Sequence, residues 1–172
     1  MKQFMLLTCA SIMFAQSAHA LSCMRPNIAR SFNEFAQSDD IYVLGFGKIT
    51  PTQKIIDPNK GKDGVAKHES YSVQASFSGR FMGKSGWGEP KTLPVRVEVQ
   101  CLSIWCGGFP SGKQDAIAFF QKTKSGYVLN MGPCGGNYKA SPTSQEQSIL
   151  KSCFRNNKCS NAQIEKLGGT YR

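Results

Sequence analysis

Histidine is scarce, and no two cysteines lie at Cys-x-x-Cys spacing. Of the two histidines, His19 falls in an N-terminal leader-like stretch, which leaves His68. A structural zinc site needs four closely spaced Cys or His ligands, so no metal is expected. The same poverty argues against a hydrolase, because no serine or cysteine near His68 in sequence has an evident base and orienting acid. The chain is therefore read as non-catalytic and without a cofactor. Acidic residues are also few, 11 against 21 Lys and Arg. After the first residues no apolar run approaches the roughly 20 needed to span a bilayer, so no transmembrane span is expected.

What is present at the start is an export signal. Lys2 supplies a positive charge, Phe4 to Phe14 form a short apolar run, and Ala18-His19-Ala20 satisfies the small-x-small rule. Residues 1–20 are expected to be removed, leaving Leu21 as the mature N-terminus and the protein periplasmic or secreted. Lipidation of Cys23 is the less favoured alternative, because Leu21 sits one place late for a lipobox. Removing 20 of 172 residues leaves 152, one domain's worth.

Cleavage also removes Cys9 and leaves Cys23, Cys101, Cys106, Cys134, Cys153 and Cys159. An even count in an exported chain points to disulfides, and six cysteines allow 15 pairings. The charge balance becomes 20 basic against 11 acidic residues, which favours anionic envelope polymers or acidic proteins as partners. Export argues against cytoplasmic nucleic acid. Lys48, Lys54, Lys60, Lys62 and Lys67 form the candidate polyanion-binding set, although Asp57 and Asp63 interrupt them, as in an ordinary solvated loop.

The apolar pattern is mostly that of strands. Residues 41–49 are β-branched and aromatic; 70–81 alternate Tyr71, Val73, Ala75 and Phe77; 93–100 alternate Val95, Val97 and Val99. Residues 116–132 break at Ser125-Gly126 and read as a hairpin, making five strands. A short helix is expected after Pro26, with Ile28, Phe32 and Phe35 at helical spacing, and another from about Ser144 to Cys153. The Pro, Gly, Asn and Asp residues between the first two strands mark a long excursion.

Two stretches imitate ligand loops. Gly107 to Lys113, "GGFPSGK", satisfies G-x-x-x-x-G-K, but Gln114 replaces the magnesium-binding hydroxyl and the following "AIAFF" reads as strand, so a glycine-rich turn is expected. Asp57 to Gly64 places oxygen-bearing side chains as calcium loops do, but Pro58 and two lysines oppose a divalent cation, so a surface turn is expected. Trp87 and Trp105 each fit either a lid over a barrel end or an exposed anchor.

Taken in order, five stretches resemble the netrin-like module and the N-terminal domain of the tissue inhibitors of metalloproteinases, over about Leu21 to Tyr138. "SCMRP" is similar to the second half of that family's Cys-x-Cys-x-Pro-Pro opening. "SFNEFAQSDDIYVLG" resembles its first helix and strand, with Phe35, Ser38 and Asp39 matching. "SYSVQASFSGRFMG" resembles its second strand through Arg80, Phe81 and Gly83; "CGGF", Cys106 to Phe109, and "GYVLNMGPC", ending at Cys134, resemble later segments.

The resemblance implies a mostly β fold: a five-stranded OB-type Greek-key barrel, disulfide-stapled, with one or two short flanking helices. A single domain would span residues 21–172, ending in a helical extension from about 140. It implies a Cys23–Cys134 bridge, which leaves Cys101 with Cys106 and Cys153 with Cys159; the second scheme joins Cys23 to Cys106. It also implies binding to another exported protein, with zinc proteases as the partner class and Leu21, Ser22 and Cys23 as the recognition tip. In the family a first-position cysteine chelates the protease zinc through its α-amine and carbonyl. Here Leu21 stands in that register, and the family's extra helix cysteine is matched by Ala36, so the tip loses a clamp and with it preorganisation. The alternative is a basic envelope module that binds polyanions or another exported protein without inhibiting it.

Overall fold

The computed structural model describes residues 23–60, 67–110 and 113–168. In chain order these form α1 (Ile28–Ala36), β1 (Tyr42–Pro51), β2 (Tyr71–Gly83), β3 (Gly86–Trp87), β4 (Lys91–Val99), β5 (Cys101–Leu102), β6 (Trp105–Cys106), β7 (Ala116–Thr123), β8 (Gly126–Met131), β9 (Tyr138–Ala140), α2 (Ser144–Asn156) and α3 (Asn161–Gly168). The five long strands are those that periodicity anticipates, within two residues at each end.

Their pairing closes a barrel. β1 pairs antiparallel with both β2 and β7, β2 with β4, and β7 with β8, while β4 and β8 run parallel. Counting the long strands one to five, the circuit runs 1-2-3-5-4-1 with the third and fifth parallel, the arrangement of an OB barrel. Closure leaves none of the five with a free edge on both sides, which removes templates for edge-to-edge aggregation. The two-residue strand β3 pairs back antiparallel on the end of β2, and β9 pairs with β7.

Two apolar clusters explain why the β7 run "AIAFF" does not alternate. Ala118 and Phe120 face the barrel interior with Phe77, Val95, Val97, Val99 and Leu129. Ile117 and Phe119 face outward beneath the helices, beside Leu44, Ile28, Phe32 and Leu150. A strand covered on both faces reads as a continuous apolar run. Where β1 crosses β2, Gly47 lies opposite Gly79, and a β-carbon on Gly47 would stand 2.3 Å from the Ser78 carbonyl oxygen. Two glycines at one crossing therefore let the backbones approach closely enough to bend the sheet round.

The helices form one outer layer. Asn27 caps α1 by accepting from the N–H groups of Ala29 and Arg30, and its Nδ2 donates to the Ile164 carbonyl of α3. Thr143 and Glu146 form a reciprocal capping box at the start of α2, and Asn157 ends that helix in the left-handed conformation. The periodicity anticipates α1 and α2 but not α3, whose apolar contacts come from Ile164 and Leu167 alone. None of the described helices is long and apolar enough to cross a membrane.

Three disulfides join Cys23 to Cys134, Cys101 to Cys106 and Cys153 to Cys159. These are the pairs the resemblance implies, and bridges of this number fit an oxidising compartment.

Candidate binding surface at one barrel end

The C-terminal ends of β4 and β8 lie together because the two strands are parallel neighbours, with Val99 in register with Met131. Three chain segments gather beyond them. The first is the N-terminal segment: the Cys23–Cys134 bridge holds it just past β8. Met24 follows with 62% of its surface exposed, its sulfur 3.6 Å from Arg30 Nη1, and Pro26 packs against Gly135. A cleft of about 280 Å³ lies between this segment and α1, lined in part by Met24, Arg30, Glu34 and Gly135.

The second is the hairpin of β5 and β6, which follows β4 directly. Gln100 N–H donates to the Met131 carbonyl and Gly107 N–H to the Gln100 carbonyl, so the hairpin base is sewn to β8. A β-carbon on Gly107 would sit 1.9 Å from the Met131 carbonyl oxygen. That close approach is why a glycine opens the P-loop-like string, and the chain after Lys113 continues as strand β7 with no helix N-terminus to meet a phosphate. Ser111 and Gly112 of that string lie outside the described residues.

Across the hairpin, Cys101 is opposite Cys106 and Leu102 opposite Trp105, with Ser103 left-handed at the turn. Adjacent residues of a strand point to opposite faces, so the bridge occupies one side and the Leu102–Trp105 pair the other. Leu102, Ile104 and Trp105 are 57%, 63% and 53% exposed. The two tryptophans thus resolve differently. Trp87 is half-buried with its ring 5.7 Å from that of Phe46, whereas Trp105 is more than half exposed. The Cys-x-x-x-x-Cys spacing around "LSIW" was the available signal for an apolar tip.

The third segment is the excursion between β1 and β2. Asp57 accepts from the N–H of Asn59, forming a turn over residues 57–60 of the calcium-like string, whose residues 61–64 lie outside the described residues. The Asn59 amide pairs with both backbone groups of Glu69 and reaches the Cys101 sulfur at 3.6 Å, while Ser70 Oγ accepts from Cys101 N–H. These bonds dock the excursion on the hairpin base. Ile56 on it is 83% exposed. A cleft of about 610 Å³ runs beside Tyr71, Glu98 and Cys101. Burial, reinforced by the neighbouring Asp57 carboxylate, pushes the Tyr71 hydroxyl up to about 12.

Of the sequence-designated lysines, Lys48 lies on the outer face of β1 opposite Ser78, and Lys54, Lys60 and Lys67 lie on the excursion. All four are exposed, and within the described residues none makes an ion pair. Lys62 lies outside the described residues, as do Leu21 and Ser22 of the expected recognition tip. His68 is exposed with φ of 54°. Among the described residues no three His, Cys, Asp or Glu side chains converge as metal ligands would.

No protein-family model, characterised protein or solved structure matches the chain. What its geometry defines is a class: a small closed β barrel stapled by three disulfides, with a helical layer on one side and a decorated end on another.

Proposed function

We propose that this is an exported, non-catalytic binding domain that meets another exported protein through the barrel end bearing Cys23. The observation carrying this reading is the Cys23–Cys134 bridge, which holds the N-terminal segment just past β8. With the leader cleaved after Ala20, the free α-amine and carbonyl of Leu21 come two residues before a fixed point. Together with the resemblance to metalloproteinase inhibitors, this makes a zinc protease the proposed partner class, with Leu21 backbone atoms approaching the protease metal. Absence of the first-position bridge leaves the tip less preorganised, so inhibition is weaker than in that family.

The test is a panel of zinc proteases with mature protein at micromolar concentration. Inhibition that disappears when one residue is added before Leu21 supports the reading, because the extension displaces the amine. A panel left wholly uninhibited overturns it.

A second reading, binding of anionic envelope polymers, is favoured by the four exposed lysines that lack ion pairs among the described residues. It requires retention on a polyanionic matrix that falls steeply with salt. Salt-insensitive behaviour refutes it.

A further inference from the structure

We infer that the Cys101–Cys106 hairpin is a membrane-contact tip that places Leu102, Ile104 and Trp105 in the interfacial layer of an anionic lipid surface. The inference goes beyond the partner-binding reading and does not depend on it.

The tip is braced at its base. A disulfide closes it at its base, its two short strands pair, and Gly107 and Gln100 fasten it to the end of β8. Three large apolar side chains within four residues are each more than half exposed, a cluster rather than the single scattered exposures ordinary on a surface. Between Glu98 and Lys113 the sequence has no charged residue, so no charge on this stretch resists transfer out of water. A protein partner would need a pocket shaped to a protruding Trp; a lipid interface accepts Trp, Leu and Ile without one, and tryptophan favours that layer.

Charge selects the kind of lipid. The excursion docked on the hairpin through Asn59 and Ser70 carries exposed Lys54, Lys60 and Lys67 against Asp57 and Glu69, and the chain as a whole is strongly basic. Ile56, 83% exposed and lying between Lys54 and Lys60 in sequence, adds a further large apolar side chain to the excursion. Apolar insertion combined with flanking lysines is the physical recipe for reversible attachment to an anionic leaflet, because each component alone is marginal.

The experiment uses mature protein carrying Trp87→Phe, which leaves Trp105 as the sole tryptophan, with vesicles of mixed phosphatidylglycerol and phosphatidylcholine or of phosphatidylcholine alone. The expected result is co-sedimentation with the mixed vesicles and a blue shift of Trp105 emission. Binding to the uncharged vesicles should be weaker by about tenfold or more. Because Trp87→Phe touches packed side chains, co-sedimentation is repeated with unmodified protein and with Leu102→Asp/Ile104→Asp. The double variant should keep its melting temperature and lose about tenfold or more in vesicle affinity. Failure to co-sediment with anionic vesicles overturns the inference. So does co-sedimentation in which Trp105 emission does not shift and the double variant binds equally well, since that is adsorption by lysines alone. Dependence of an exported protein's recovery on Trp105, with vesicles unbound, also overturns it and assigns the tip to a protein partner.

Discussion

Asn33 and Cys159 exchange two hydrogen bonds across 126 residues of sequence: Asn33 Nδ2 donates to the Cys159 carbonyl at 2.9 Å, and Cys159 N–H donates to Asn33 Oδ1 at 2.7 Å. One side chain of α1 thereby satisfies the backbone of the link between α2 and α3, at the residue where the Cys153 bridge also lands. Asn33→Ala leaves both backbone groups without partners in a partly buried site. It should destabilise by about 1–3 kcal/mol, read as a lower urea midpoint with an unchanged slope.

The long bridge should outweigh the short ones. Replacing Cys23 and Cys134 by Ser opens a loop of sequence separation 111 and should cost about 4–5 kcal/mol in the chain-entropy relation. The Cys101–Cys106 pair, with separation 5, should cost about 2 kcal/mol by the same relation. Chemical denaturation of the two double variants gives the order directly.

At the crossing of β1 and β2, Gly47→Ala drives a methyl into the Ser78 carbonyl, and Gly79→Ala meets the Phe46 carbonyl oxygen at 2.3 Å. Backbone on both sides leaves nothing flexible to yield. Each change should cost about 3 kcal/mol, at the upper end of overpacking effects, and show as a sharp fall in melting temperature.

Alkali should reveal Tyr71. Its folded-state value is raised from 10.0 to about 12, so the folded form holds the phenol proton more tightly than the unfolded chain does. That contribution to stability is complete below about pH 10 and is lost as pH rises toward 12. Tyr42 and Tyr138 are also raised, chiefly by burial, and lose stability in the same direction. Tyr71→Phe should therefore flatten, without abolishing, the decline of the denaturation midpoint between pH 10 and 12.

The two tryptophans should separate stability from surface contact. Trp87→Ala removes a half-buried ring packed on Phe46 and should cost about 2 kcal/mol, less than for a fully buried aromatic. Trp105→Ala should cost less, about 1 kcal/mol or under, since the side chain is more than half exposed and its cross-strand neighbour is the exposed Leu102. Melting temperatures of the two variants decide the matter.

The sequence alone determined whatever depends on neighbours a few residues apart. Strand positions followed from alternation at Val95, Val97 and Val99, and α1 from the spacing of Ile28, Phe32 and Phe35, because side-chain direction is set by local backbone geometry. The six cysteines from Cys23 onward were equally legible as letters. What tertiary structure decided were relations between distant segments. Barrel closure put Ile117 and Phe119 under helices while Phe120 turned inward and made Gly107 a contact for Met131, and packing among the helices brought Asn33 to Cys159. The weakly patterned α3 is held by those same distant contacts. Trp87 and Trp105 were indistinguishable as letters between turn residues; burial is a property of what packs against a ring, and the fold packed Phe46 on one and left the other more than half exposed beside Leu102.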